Sequence, residues 1–169
     1  LLFLTAFLSP QLPSFSVASE ILFVTIDGVI NPVTADFLDD AIKRAHSKKA
    51  GALVVELDTP GGLDLSMREM IKDILSSEVP VVVFVGPAGS RAASAGVFIT
   101  YAASVAAMAP GTNIGSAHPV SMAGKMDEVM SKKVENDAVA YLKGIALKRG
   151  RNAEWAEKAV RDSVNVTAE

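Results

Sequence analysis

The 169-residue sequence contains no cysteine and only two histidines. The lack of cysteine excludes disulfides, thiol nucleophiles and thiolate metal sites together. The histidines, His46 and His118, lie far apart in the sequence with no acidic cluster beside them, so neither a metal nor another cofactor is expected. Strong charge of one sign is also missing. The formal net charge is -3, which provides no electrostatic footprint for nucleic acid.

Half of the residues are hydrophobic and 21% are charged, so the chain has the composition of one folded domain. Its first eight residues are almost all apolar, prolines follow at positions 10 and 13, and small residues occupy 16–18. This order is typical of the apolar and cleavage regions of a secretory signal peptide, and the run is too short to span a bilayer. We therefore interpret residues 1–19 as a partial signal peptide and residues 20–169 as one domain.

The interior alternates apolar strands with helical periodicity, which predicts an α/β fold with a mostly parallel sheet. A polar, mobile loop is expected over 111–126, and Ser66 with Glu69 suggests a capping box at one helix start. The predicted strands are 21–26, 52–57, 79–85 and 105–109. The predicted helices begin at 34, 66, 92 and 127, with a last one capped by Asn152.

In a parallel sheet the active site lies at the carboxyl ends of the strands. Three loops occur at such ends, over 58–62, 86–94 and 110–115. Ser94 is at a predicted helix start, where unpaired amides and the helix dipole favour a developing anion. The same position also suits a serine that only caps or packs the helix.

Two consecutive glycines, Gly61 and Gly62, leave backbone amides bare after the second strand. One of these amides and that of Ala95 could stabilise an oxyanion, although an ordinary turn has the same composition. The base is less evident. His46 lies in a charged helix end and is expected to be solvated, so His118 in the predicted loop is the only credible imidazole base. A lysine can act instead if burial favours its neutral form. The lysine candidates are Lys132, Lys133 and Lys143.

Three segments stand out: Glu-Leu-Asp-Thr-Pro-Gly-Gly at 56–62, Ala-Ala-Ser-Ala-Gly at 92–96 and Ala-Met-Ala-Pro-Gly-Thr-Asn-Ile-Gly at 107–115. Together they resemble the N-terminal protease domain of NfeD-type membrane proteins, of the ClpP class and related to signal peptide peptidase A. The resemblance covers residues 20–169, with the three motifs in the family's order and approximate spacing.

The resemblance implies a ClpP/crotonase-like fold and a serine endopeptidase with a Ser–Lys dyad. It places the nucleophile at Ser94 and, because residues 134–143 match the stretch after the family's lysine, the base at Lys133. Lys132 is a lesser candidate, because the preceding loop is slightly shorter than in the family. Gly61 and Ala95 fall where the family draws its oxyanion amides.

The implied substrates are apolar segments of membrane-associated proteins, with a stomatin-like protein as partner. Residues expected to bind such a segment are Gly62, Leu63, Val97, Phe98, Ile114 and Val120. The resemblance further implies a homodimer or higher homo-oligomer at an extracytoplasmic membrane face. The family's membrane spans and β-barrel do not occur here, so we interpret the chain as a C-terminally truncated fragment whose anchor lies outside it.

Two other functions fit parts of the sequence. A crotonase-type acyl-CoA enzyme would share the fold and the paired amides, but no positioned carboxylate base or phosphate site is evident, and a secretory signal argues against a CoA substrate. A non-catalytic scaffold that binds a stomatin-like protein at the membrane would need neither Ser94 nor Lys133.

Overall fold

The computed structural model of the protein describes residues 20–121, 124 and 127–169. The predicted signal peptide, residues 1–19, lies outside the described residues. The elements, in chain order, are β1 (Ile21–Asp27), α1 (Pro32–Ser47), β2 (Ala52–Asp58), α2 (Asp64–Ser76), β3 (Val81–Val85), β4 (Arg91–Ala93), α3 (Ala95–Ala102), β5 (Val105–Met108), β6 (Asn113–Gly115), α4 (Glu128–Lys148), α5 (Ala153–Arg161) and β7 (Asn165–Thr167).

The main sheet is parallel and has the strand order β1-β2-β3-β5. Its four strands are those that the apolar runs predict. Because the order advances in one direction and such crossovers are right-handed, the connecting helices are expected on one face of the sheet. Burial agrees. Alternate strand residues, such as Val55 and Val83, are fully buried beneath the helices.

The opposite face of this sheet has no helix packed against it in the described part of the chain. One apolar row crosses it, with one residue from each strand in register: Phe23, Val54, Val82 and Val105. Phe23 is 59% exposed and Val105 54% exposed, whereas parallel sheets usually have both faces covered.

Helix starts follow local capping chemistry. Asn31 and Thr34 form a reciprocal capping box that starts α1, and Asn152 caps α5 by accepting from the Trp155 amide, as predicted. The predicted capping box of Ser66 is wrong. Helix α2 begins two residues earlier with Leu63 as its N-cap, so Ser66 lies inside the helix and is buried.

A second, three-stranded sheet lies beyond the carboxyl ends of the main strands. In it β4 pairs parallel with β6, and β6 pairs antiparallel with β7. This sheet corrects two predictions. Residues 92 and 93 are strand rather than helix, and the predicted loop over 111–126 contains β6. Residues 122, 123, 125 and 126 of that loop lie outside the described residues.

The remaining helices complete the core. Helix α4 packs on α3, and α5 packs on α4. Arg151 donates to the carbonyls of Tyr101 and Ala103 at the end of α3, so the α4–α5 turn satisfies acceptors that α3 leaves free. Among the described residues, no helix combines the length and apolar character needed to cross a membrane.

Candidate active site

The end of β2 and the end of β4 meet where the two sheets join. Thr59 and Ala92 form a β-bridge between them, and this bridge brings the turn after β2 to the turn before α3. Gly61 and Ser94 therefore become neighbours, as expected from the carboxyl ends of adjacent parallel strands.

Ser94 occupies a strained turn between β4 and α3. Its φ of 53° and ψ of -114° lie in a region that residues with a side chain seldom adopt. Its amide donates to the Gly115 carbonyl at 3.0 Å, which fixes the turn against β6. The hydroxyl has no hydrogen-bond partner among the described residues and is not a buried atom. A sharp strand-to-helix turn of this kind presents a serine oxygen outward.

The first amides of α3 are free. Among the described residues, those of Ala95 and Gly96 have no acceptor, and the Val97 amide is the first to bond, to the Ser94 carbonyl. These donors point out of the positive end of the helix dipole beside Ser94. They are suited to an oxyanion that forms next to the serine oxygen.

Gly61 is closely packed against Ser94. A Cβ atom on Gly61 would lie 2.5 Å from Ser94 Cβ and 3.1 Å from its Oγ, and the φ of Gly61 is +106°. Both the distance and the dihedral angle exclude a side chain. The glycine is what allows the two turns to approach.

The amides of the two glycines differ in what they contact. The Gly61 amide donates to Thr59 Oγ1 at 3.0 Å. The Gly62 amide has no acceptor among the described residues, and Gly62 is exposed. Among the described residues the unbonded amide of this turn is therefore that of Gly62, and the role of Gly61 as an oxyanion donor stays a prediction.

Thr59 was not among the predicted site residues. It is fully buried, and its hydroxyl closes a short turn onto the amide two residues later. A hydroxyl residue directly before Pro-Gly-Gly at a strand end is the sequence signal for such a turn.

Lys133 and Lys132 are both exposed in the first half of α4. They line a depression of about 300 Å³ together with Glu128, Val129 and Asn136. Lys133 has no hydrogen bond or ion pair with any described residue, and so none with Ser94. The described structure thus brings together Ser94, Ala95 and the glycines, whereas the placement of Lys133 beside Ser94 stays a prediction.

The other candidate bases have different partners. Lys143 pairs with Glu157 at 2.6 Å, and His118 Nδ1 lies 3.0 Å from the Val160 carbonyl oxygen. His46, near the end of α1, has its Nδ1 3.4 Å from a carboxylate oxygen of Glu78, which follows α2. No group of three or more acidic or histidine side chains able to hold a metal ion occurs in the described ranges.

Of the six predicted substrate-binding residues, Gly62 is exposed in the turn described above, and the other five divide into two groups. Leu63 is 41% exposed and Val120 80% exposed. Val97, Phe98 and Ile114 are buried in the hydrophobic core, so their side chains support the site from beneath and do not line a surface. Direct substrate contact by these three residues stays a prediction that their burial does not favour.

A family model described as "NfeD1b, N-terminal domain" matches residues 20–168. The "Membrane-bound protease PH1510" of Pyrococcus horikoshii is 38% identical over 156 residues. The match covers 90% of this chain and 35% of the relative. The chain therefore spans about a third of the length of this curated relative.

Solved structures are similar in the same region. A serine-to-alanine variant of the 1510-N membrane-bound stomatin-specific protease has a TM-score of 0.85 at 35% identity, covering 90% of this chain and 75% of that one. A lysine-to-alanine variant, in complex with a substrate peptide, has a TM-score of 0.83 at 34% identity, covering 90% and 71%. ClpP1 from Listeria monocytogenes has a TM-score of 0.66 at 20% identity over 86% and 82% of the chains. The predicted ClpP-like α/β fold is confirmed.

Proposed function

Because this chain belongs to the NfeD1b N-terminal domain family, we propose that it is a serine endopeptidase in which Ser94 is the nucleophile and Lys133 the general base. The observation that carries the proposal is the turn at Ser94. Among the described residues its oxygen has no hydrogen-bond partner, and the amides of Ala95 and Gly96 beside it have no acceptor. The backbone of Ser94 is held in a strained conformation. A serine that only capped the helix would not need this conformation. An N-cap residue normally has extended backbone, and its side-chain oxygen accepts a hydrogen bond from an amide of its own helix.

The reaction is acyl transfer. Ser94 Oγ attacks the carbonyl carbon of the scissile amide while its proton passes to a neutral Lys133 Nζ. The carbon–nitrogen bond then breaks, and the lysine returns the proton to the leaving nitrogen. Water attacks the resulting ester with Lys133 again accepting a proton, and this releases the acid and restores the Ser94 hydroxyl.

The oxyanion of the tetrahedral intermediate is bound by two backbone amides. One is that of Ala95, directly after the nucleophile. For the second we favour Gly62 over Gly61, because the Gly61 amide would first have to leave Thr59 Oγ1. Loss of one such donor typically costs about 2.7–4 kcal/mol of transition-state stabilisation.

Lys133 must be shielded from water when it acts, since desolvation favours the neutral amine. It is exposed in this structure, so we propose that a bound substrate or a second copy of the chain covers it. The structure of a lysine-to-alanine variant of the 1510-N protease, in complex with a substrate peptide, supports the proposal that a lysine acts in the reaction. Lys132 is the adjacent alternative.

For substrate and location we propose an apolar segment of a stomatin-like protein at an extracytoplasmic membrane face, with the chain acting as a homo-oligomer. The support is that the 1510-N relative is named as stomatin-specific and membrane-bound, and that exposed Leu63 adjoins the glycine turn. The signal-like sequence of residues 1–19 favours the extracytoplasmic side.

The test is cleavage of an apolar peptide that resembles a membrane segment. Ser94→Ala and Lys133→Ala are expected to abolish cleavage, whereas Lys132→Ala is the matched control and should keep it, with circular dichroism unchanged in all three. Equal cleavage by all four proteins, or cleavage by none, would contradict the protease proposal. It would favour the alternative that the chain is a scaffold that only binds a stomatin-like protein.

A further inference from the structure

Thr59 joins the two halves of the site through its backbone. Its amide donates to the Arg91 carbonyl at 2.8 Å, and its carbonyl accepts from the Ala93 amide at 3.0 Å. Ala93 directly precedes Ser94. The end of β2 is thereby tied by two hydrogen bonds to the strand that delivers the nucleophile.

The side chain of Thr59 contacts both turns at once. Its Oγ1 accepts the hydrogen bond from the Gly61 amide. Its methyl group faces the start of α3, where a Cβ atom on Gly96 would lie 2.7 Å from Thr59 Cγ2. The residue is 0% exposed, so neither contact competes with water.

These contacts determine the orientation of the next peptide group. The Gly61 carbonyl accepts from the Ile30 amide at 2.9 Å and from the Thr59 hydroxyl at 3.3 Å. Because the carbonyl and the N–H of a trans peptide point in opposite directions, the Gly62 N–H is directed away from Ile30. With the Gly61 amide held by Thr59 and its carbonyl held by Ile30, the free Gly62 donor has little freedom to rotate.

We propose that Thr59 is a positioning residue for hydrolysis, whose hydroxyl holds the Gly61 amide so that the Gly62 amide stays available to the oxyanion beside Ser94. The inference rests on the proposed serine endopeptidase function. Thr59 touches neither substrate nor the reacting atoms, and acts through the glycine turn.

Two matched pairs isolate the hydroxyl. Thr59 and Thr59→Val differ by a hydroxyl against a methyl group, and Thr59→Ser and Thr59→Ala differ by a hydroxyl against a hydrogen. Removing the hydroxyl leaves the buried Gly61 N–H unpaired, so that only the Ile30 amide still orients the turn. We expect kcat to fall by about tenfold to a hundredfold in Thr59→Val, with KM within about twofold, since only the transition state uses the oxyanion donor. Thr59→Ser should keep kcat within about threefold of the wild type, because it restores the acceptor.

A second readout does not depend on cleavage. Hydrogen exchange of the Gly61 amide, measured by NMR on the protein without substrate, should be about five- to tenfold faster in the two variants without a hydroxyl. If Thr59→Val does not fold, the Ser and Ala variants supply the same comparison.

The outcomes separate the two proposals. Slower turnover and faster Gly61 exchange in the variants without a hydroxyl support the positioning role. An unchanged kcat, an equal loss in Thr59→Ser and Thr59→Val, or unchanged Gly61 exchange overturns it. If the wild type cleaves nothing, the protease proposal fails, and the exchange rates alone decide whether Thr59 holds the turn.

Discussion

Gly61 and Ser94 approach so closely that a Cβ atom on the glycine would lie 2.5 Å from the Cβ atom of the serine. The contact joins a turn after β2 to a turn before α3, which are 33 positions apart in the chain. This contact places Ser94 beside the glycine turn in the candidate active site.

The first prediction concerns this contact. Gly61→Ala should reduce peptide cleavage by more than about a hundredfold, because the new methyl group displaces Ser94 or the oxyanion amides. The control is Gly89→Ala. Gly89 has a similar φ of +91°, but its Cβ would meet nothing within 4 Å, so the substitution should cost only about 1 kcal/mol of stability and leave activity intact. If Gly61→Ala and Gly89→Ala lose activity equally, the loss comes from backbone strain alone and not from the contact with Ser94.

The second prediction compares two glycines without positive φ. A Cβ atom on Gly62 would lie 2.0 Å from the Ile30 carbonyl oxygen, whereas one on Gly144, inside α4, would meet nothing within 4 Å. Gly62→Ala should therefore lower the free energy of unfolding by about 1–3 kcal/mol. Gly144→Ala should raise it by about 0.5–1 kcal/mol, because alanine favours a helix over glycine. Urea unfolding measures both. A stabilised Gly62→Ala would contradict the packing of that turn.

The third prediction concerns pH. Hydrogen bonds from Arg161 and Lys143 lower the pKa of Glu157 to about 2, against an ordinary value near 4.5. A carboxyl group whose pKa is lower when folded stabilises the fold above its unfolded pKa, and this contribution is lost as the pH falls from about 4.5 towards 2. Glu157→Gln should therefore have a lower Tm than the wild type at pH 6, and the difference should shrink across that range.

The control for this prediction is Glu154→Gln on the same helix. Glu154 is exposed and forms no ion pair with a described residue, so its replacement should lower Tm at pH 6 less than Glu157→Gln does. Parallel profiles for the wild type and Glu157→Gln between pH 6 and pH 2 would rule out the assigned role of Glu157.

The sequence predicts the main sheet and the long helices well because their signals are local. Apolar runs mark the four parallel strands, and Asn152 caps α5 where its side chain chemistry indicates. Strand β6 was missed because three residues are too few for a periodic pattern, and its partners, β4 and β7, are distant in sequence. The Ser66 capping box failed because burial of the residue against the core outweighed its local preference.

The site was predictable in its residue types but not in its contacts. Motif spacing brings Ser94 to a helix start, yet the sequence does not reveal its positive φ, which depends on the bond to Gly115 in another strand. Which glycine amide is free depends on the Thr59 hydroxyl. The placement of Lys133 relative to Ser94 stays a prediction, because no contact between described residues joins them.

The face of the main sheet that no described helix covers has a practical consequence for every stability measurement on this protein. Ile21, Phe23 and Val105 are each more than half exposed, and together they offer apolar surface while the fold is intact. Environment-sensitive dyes, such as those used in fluorescence melting assays, will therefore bind the native state and fluoresce before any unfolding begins. Far-ultraviolet circular dichroism, which reports on the backbone, is the safer signal for comparing the variants.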